Sequence, residues 1–207
     1  MKGTDRRFAR VLLLVVGLVL SLQSGSFGSA YSPQRTPVSG VRGREVFTGT
    51  IVYFPDIRSP RTSTVSRTFT LTLDSQTAPN EIAQFDSRLR EGGQDGLMKM
   101  ISNSRHGRLQ IGGNVGRDIG FVQVTPSEEG GRKYTIILER WINFAEARRG
   151  TRSLDYPFSY IELYLDDEGK GDGMMFSAAK IRFKDNNVEV ENFATYPAKL
   201  MGVMRRS

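Results

Sequence analysis

Carboxylates are the side chains in this sequence best suited to hydrolytic chemistry. A glycosidase uses two of them, about 5 Å apart in retaining enzymes and about 6.5–9.5 Å apart in inverting ones. The candidates are Glu139, Glu146, Asp155 and Glu162, with Glu162 and Glu139 as the first choices for catalytic residues. Alternation along a strand places Glu162 on the same face as Tyr160 and Tyr164. A solvated sheet face, with aromatic side chains packing across strands, explains the same pattern.

An acidic, glycine-rich segment at residues 166–173 has the composition of a calcium-binding loop. Calcium takes six or more oxygen ligands, and the EF-hand pattern requires an acid or amide at loop position five and a glutamate at position twelve. Counted from the first aspartate, those positions hold Lys170 and Ser177. We therefore predict a hairpin turn rather than a metal site. The residues that a metal would use here are Asp166, Glu168 and Asp172.

His106 is the only histidine in the chain. A single histidine excludes a two-histidine zinc site. As a general base it would need a neighbouring nucleophile such as Ser102 or Ser104, and neither serine lies in the G-x-S-x-G pattern of a nucleophile elbow. The sequence favours a solvent-exposed histidine in a turn.

Aromatic residues are concentrated in one quarter of the sequence. Such side chains line ligand sites, but they also build hydrophobic cores. The residues that we select as candidates for ligand binding are Trp141, Tyr156, Tyr160 and Tyr164, with Phe144 and Phe158 in the same group.

Hydrophobic periodicity predicts strands along most of the chain and helices in one place. Residues 66–74 alternate strictly, with Phe69, Leu71 and Leu73 on one face. Helical spacing over 80–91 and 95–102, separated by two glycines, predicts a pair of short helices. The other predicted strands are 45–54, 108–111, 119–125, 133–141, 158–165, 174–184 and 188–193, with a helical turn within 143–149, a final extended segment at 195–203 and a solvated tail at 205–207.

These elements predict an α+β fold. The connections between neighbouring strands are short, and short connections require antiparallel pairing. The expected architecture is a mainly antiparallel β meander of about eight strands, with one helical pair after the second strand. Strand number alone leaves an open sheet and a partly closed barrel as alternatives.

The first thirty residues have the order of a secretory signal peptide. Basic residues precede an apolar stretch at 11–22, and the small residues Gly28 and Ala30 fit a signal peptidase site. The apolar stretch would form a helix of about 18 Å, which is too short for a bilayer core of about 30 Å. We therefore predict export to the periplasm or the medium, without a permanent membrane anchor.

The positive charge of the chain lies mostly near its beginning. Of the net +7, residues 1–30 contribute four basic and one acidic residue, and the proline- and glycine-containing linker at 31–44 contributes three arginines. Residues 45–207 keep 22 basic and 21 acidic residues, a net +1. Because nucleic-acid binding depends on phosphate neutralisation, a nucleic-acid partner is not expected.

The chain contains no cysteine, so disulfides, thiol nucleophiles and cysteine-linked lipids are excluded. Residues 45–207 are sufficient for one domain that is stabilised by its core alone. The predicted organisation is a signal peptide at 1–30, a flexible basic linker at 31–44 and a single β-rich domain at 45–207.

Three segments resemble those of uncharacterised exported bacterial proteins. They are residues 92–97, residues 155–158 followed by 166–173, and residues 196–200. The resemblance covers most of residues 45–207 and implies one exported domain. It implies no activity and no catalytic residue.

The absence of a recognisable catalytic motif, together with the number of strands, favours a non-enzymatic binding or structural module of the cell envelope. Its expected partner is an apolar ligand or an envelope component, and we expect no cofactor. Two alternatives remain open at this point. One is a small carboxylate-dependent hydrolase, and the other is an interaction subunit of an envelope complex.

Overall fold

The computed structural model describes residues 43–54, 63–141, 152–184, 187–193 and 196–206, all of which belong to one unit, Arg35–Ser207. The predicted signal peptide, nearly all of the linker and the predicted helical turn with Glu146 and Phe144 lie outside these residues. The elements are β1 (Glu45–Tyr53), β2 (Val65–Leu73), α1 (Pro79–Asn103), β3 (Gly107–Ile111), β4 (Arg117–Ile119), β5 (Phe121–Pro126), β6 (Arg132–Glu139), a 3-10 turn (Arg152–Asp155), β7 (Phe158–Leu165), β8 (Lys170–Lys184), β9 (Asn187–Asn192) and β10 (Ala198–Arg206).

All ten strands of the described residues belong to one antiparallel sheet. The strand order is β4-β3-β2-β1-β10-β8-β7-β6-β5, and β9 pairs with β8 outside this path. Two runs of strands that pair in chain order, β1 to β4 and β5 to β9, are therefore joined by β10, which lies between β1 and β8. Val46 pairs with Arg206 in the first ladder, and Ala198 pairs with Met175 in the second.

The order is that of an open sheet, but its two end strands are consecutive in the chain. Only Gly120 separates β4 from β5. Its N–H donates to the Ile137 carbonyl on β6, while the Ile119 carbonyl accepts from the His106 N–H beside β3. The two ends of the sheet therefore lie next to each other, and the sheet curves around an enclosed core.

The enclosed face of the sheet is filled with aliphatic and aromatic side chains. In β2, Phe69, Leu71 and Leu73 are buried there, as the alternation predicted. The space lined by Ile51, Leu71 and their neighbours leaves no room for a water molecule. Packing of this density stabilises the sheet and leaves no internal ligand cavity at that position.

Helix α1 covers the outer face of β5 to β8. Its buried residues form a second core with Phe121, Ile137, Phe158 and Ile181, and they are Ile82, Phe85, Leu97 and Ile101. Gly93 interrupts the helix with φ 60° and ψ −153°, so the predicted pair of helices is one helix with an internal break.

The side chain of Gln94, the first residue after this break, takes the place of a neighbouring strand beside β8. The Gln94 amide nitrogen donates to the Ile181 carbonyl at 2.8 Å, and the Ile181 N–H donates to the Gln94 amide oxygen at 3.0 Å. The ladder between β7 and β8 ends at the pair of Phe158 with Ala179. The amide therefore pairs with a backbone segment of β8 beyond the reach of β7.

The sequence prediction differs from the structure in connectivity. A meander of about eight strands was expected, whereas the described part of the chain forms ten strands and β10 lies beside β1. Arg205 and Arg206 were predicted in a solvated tail, and this was wrong because both belong to β10. Arg205 lies 3.4 Å from the buried carboxylate of Glu45, and the Arg206 guanidinium donates to the Thr48 hydroxyl at 3.1 Å.

Candidate functional site

An open cleft lies at one end of the curved sheet. It has a volume of about 330 Å³, which is at the lower end of the range for small-molecule sites. Its lining comes from strand ends that meet there, because Tyr53 ends β1, Ile111 ends β3 and Trp141 follows β6. The described residues that line it are Tyr53, Ile111, Asn114, Trp141, Ser159, Met175 and Ser177.

The cleft combines an apolar surface with a few polar groups. Trp141 and Tyr53 are half-buried and pack against the core of the sheet. Burial raises the pKa of the Tyr53 phenol, so this side chain stays protonated and can donate a hydrogen bond. The guanidinium of Arg117 lies 5.6 Å from the centre of the Trp141 ring, which is within cation–π distance. Such a lining suits a mainly apolar ligand with one polar group.

Trp141 is the only one of the four predicted ligand-binding aromatics that lines this cleft. The Tyr156 hydroxyl donates to Glu191 at 2.7 Å, and its ring packs against Phe193 with the ring centres 5.1 Å apart. Tyr160 is buried beneath α1. Tyr164 is exposed on another part of the sheet surface. The structure therefore does not bring the four residues together.

Glu162 is held in a network on the outer face of β7. Lys133 Nζ lies 2.6 Å from Glu162 Oε1, and the hydroxyls of Tyr160 and Tyr164 donate to the two carboxylate oxygens at 2.6 and 2.9 Å. Burial raises the pKa of the Glu162 carboxyl, but the hydrogen bonds from its three partners outweigh burial and hold that pKa below its ordinary value. A general acid needs the opposite shift.

Glu139 and Glu162 are engaged by different basic side chains, Arg117 and Lys133. Glu162 pairs with Thr135, four residues before Glu139 on β6, which places Glu139 about 13 Å further along the strands. Glu139 lies 3.6 Å from Arg117 in an ion pair. Asp155 lies in the 3-10 turn. The structure thus gives no support to catalysis by paired carboxylates among the described candidates.

The acidic segment forms the predicted hairpin turn between β7 and β8. The carboxylate of Asp166 accepts from the Lys170 N–H, Glu168 pairs with Lys170 Nζ at 2.7 Å, and Asp172 accepts from the Gly202 N–H. Each of the three candidate metal ligands is therefore engaged by a donor of Lys170 or Gly202. No group of three or more histidine, cysteine or acidic side chains in the described residues is placed to hold a metal ion.

His106 is not the exposed turn residue that the sequence favoured. It is 8% exposed, and its ring contacts Ser75 and Glu81 rather than Ser102. The Ser104 hydroxyl donates to Glu81 Oε1 at 3.4 Å, the same oxygen that lies 3.1 Å from His106 Nε2. Ser75 and His106 are 31 residues apart in the chain, and no sequence motif links them. Only the pairing of β2 with β3 brings them together.

Comparisons with known proteins assign this chain to no family. The chain matches no protein-family model, and neither the curated proteins nor the solved structures that were searched give a match. Among the described residues, no helix is both long enough and apolar enough to cross a membrane.

Proposed function

We propose that this chain is an exported β-rich module of the cell envelope that binds an apolar ligand in the cleft beside Trp141. The cleft itself is the observation that carries the proposal. Its volume of about 330 Å³ and its lining by Trp141, Tyr53, Ile111 and Met175 suit a hydrocarbon chain or ring. The hydroxyls of Ser159 and Ser177 and the Tyr53 phenol provide polar partners for one end of such a ligand.

Binding accounts for the described residues better than carboxylate-dependent hydrolysis does. The carboxylate of Glu162 is engaged by three donors, and Glu139 lies about 13 Å away along the strands. Among the residues that the structure describes, none that lines the cleft is acidic. The proposal therefore assigns a ligand but no reaction to this end of the sheet.

Export is the part of the proposal that rests on the sequence alone. The predicted signal peptide and the basic linker precede a domain of nearly neutral charge. A partner in the envelope is consistent with an apolar ligand, since acyl chains are the abundant apolar groups of that compartment. Export is tested separately, by the amino-terminal sequence of the mature protein recovered from outside the cytoplasm.

The fluorescence of Trp141 tests binding directly, because it is the only tryptophan in the chain. We expect decanoate, titrated below the concentration at which it aggregates, to shift the emission of Trp141 in a saturable way. Ser177→Phe should abolish the shift, because Ser177 lines the cleft and the larger ring fills it. Ser66→Phe, on the solvent face of β2, is the matched control and should titrate like the unchanged protein. Non-saturable emission, or equal titrations of both variants, would refute the proposal.

A further inference from the structure

A serine, a histidine and a glutamate are aligned at the opposite end of β2 from the cleft. Ser75 Oγ lies 2.9 Å from His106 Nδ1, and His106 Nε2 lies 3.1 Å from Glu81 Oε1. The three side chains come from the loop after β2, the residue before β3 and the first turn of α1. Nucleophile, base and orienting carboxylate are thus in direct contact, which is the arrangement of an activated hydroxyl.

The contact with Glu81 determines which nitrogen of the imidazole carries the proton. An ionised carboxylate only accepts hydrogen bonds, so the neutral His106 ring must donate from Nε2 to Glu81. Nδ1 then has a free lone pair and accepts the proton of the Ser75 hydroxyl. Glu81 is therefore a positioning residue that fixes His106 as a base toward Ser75.

The loop that carries Ser75 is held in place by backbone hydrogen bonds. The N–H groups of Asp74 and Ser75 both donate to the His106 carbonyl, at 2.8 and 3.2 Å. Thr77 is buried and exchanges two hydrogen bonds with Val122, each of 2.9 Å. Ser75 is itself exposed, while His106 is buried. A reagent in solvent can therefore reach the hydroxyl, while the base behind it is shielded and fixed.

A charged cleft adjoins this cluster. It has a volume of about 240 Å³, and its lining includes Asp74, which precedes Ser75, and Arg105 and Gly107, which flank His106. Arg44 and Arg108 also line it. Arg44 lies 3.7 Å from Asp74, and Arg105 lies 2.6 Å from Asp118. The cleft beside the loop that carries Ser75 is therefore lined by ion-paired arginine and aspartate side chains.

We propose that Ser75 is a catalytic nucleophile for acyl transfer from small carboxylic esters, with His106 as its general base. Ser75 Oγ attacks the ester carbonyl carbon and its proton passes to His106 Nδ1. The bond from that carbon to the alcohol oxygen breaks, and the leaving alkoxide takes the proton from His106. Water then attacks the acyl-serine ester and gives a proton to His106, which returns it to Ser75 Oγ as the carboxylic acid leaves. The reaction needs no metal, oxidant or further reactant.

A fluorophosphonate probe tests this assignment on the folded protein. We expect one phosphonyl adduct per chain, located on Ser75 by peptide mass spectrometry. Ser75→Ala should abolish the adduct, and it removes only an exposed hydroxyl, so the fold is retained. Ser102→Ala, which changes an exposed serine outside the cluster, should label like the unchanged protein. His106→Gln should slow labelling by about 10²-fold or more. An unlabelled protein, or equal labelling of the Ser75→Ala variant, would overturn the proposal.

A second variant separates catalysis from a purely structural role of the hydrogen bonds. Because the chain has no cysteine, Ser75→Cys introduces a single thiol. A base beside this thiol lowers its pKa, so alkylation by iodoacetamide at pH 6.5 should be at least about tenfold faster than for Ser102→Cys. Equal alkylation rates would show that His106 does not activate position 75.

Discussion

Removal of the Gln94 amide provides the most direct test of how α1 is fixed to the sheet. Gln94→Ala deletes both hydrogen bonds to Ile181 and leaves a backbone N–H and a carbonyl of a fully buried residue without that partner. Each bond contributes about 1 kcal/mol, and an unsatisfied buried group costs about 1–3 kcal/mol. We therefore expect the free energy of unfolding to fall by about 3 kcal/mol. For a domain of this size the melting temperature then falls by about 6–12 °C.

The measurement is urea denaturation followed by circular dichroism, with calorimetry for the melting temperature. Gln84→Ala is the matched control, since it makes the same substitution at an exposed position of the same helix and should change stability by less than about 0.5 kcal/mol. Gln94→Glu adds a sharper test, because a protonated carboxyl can donate to the Ile181 carbonyl and an ionised one cannot. Its stability should recover as the pH falls, since folding raises the pKa of the new carboxyl. Equal stabilities of Gln94→Ala and Gln84→Ala would refute the reasoning.

Two further substitutions test the outer network and a turn. Glu162→Gln should lower the free energy of unfolding by about 1–2 kcal/mol at pH 7, through the loss of its charged contact with Lys133. Folding lowers the pKa of the Glu162 carboxyl. The difference in stability between the two proteins, measured by urea denaturation, should therefore be full above the unfolded pKa of 4.5 and should shrink as the pH falls through the folded pKa. A difference that does not change with pH would contradict this prediction. Gly131→Ala should lower the free energy of unfolding by about 2–3 kcal/mol, measured by thermal unfolding, because Gly131 has φ 72° and an added Cβ would meet the Leu165 carbonyl. Gly130→Ala should lower it by about 1 kcal/mol, because Gly130 has φ 95° but open space around it. Similar losses in the two variants would count against the steric argument.

Local patterns in the sequence were sufficient for most of the elements. Strict alternation identified the buried face of β2, and the two glycines marked the break in α1. The bounds of β7 agree with the prediction at both ends. These features depend on neighbours in the chain, which a single sequence displays directly.

The sites depend on long-range pairing, and for that reason the sequence did not reveal them. Trp141 was selected for its aromatic ring, but the cleft also needs the ends of β1 and β3, which no local pattern joins to it. No sequence motif points to Ser75, because its proximity to His106 follows from the pairing of β2 with β3. Glu162 was selected for a strand face that the structure confirms, yet its three donors lower its pKa instead of raising it.

The position of β10 between β1 and β8 also determines when the chain can finish folding. Val46 must find Arg206, 160 positions later, and pairing over such a separation is slow. Until β10 is in place, β1 and β8 each present an unpaired edge to which a strand of another molecule can add. During the proposed export, with the amino terminus first, the sheet would stay incomplete until β10 has left the secretion channel. Deletion of this nine-residue strand would leave the edges of β1 and β8 unpaired, and we expect the protein to aggregate.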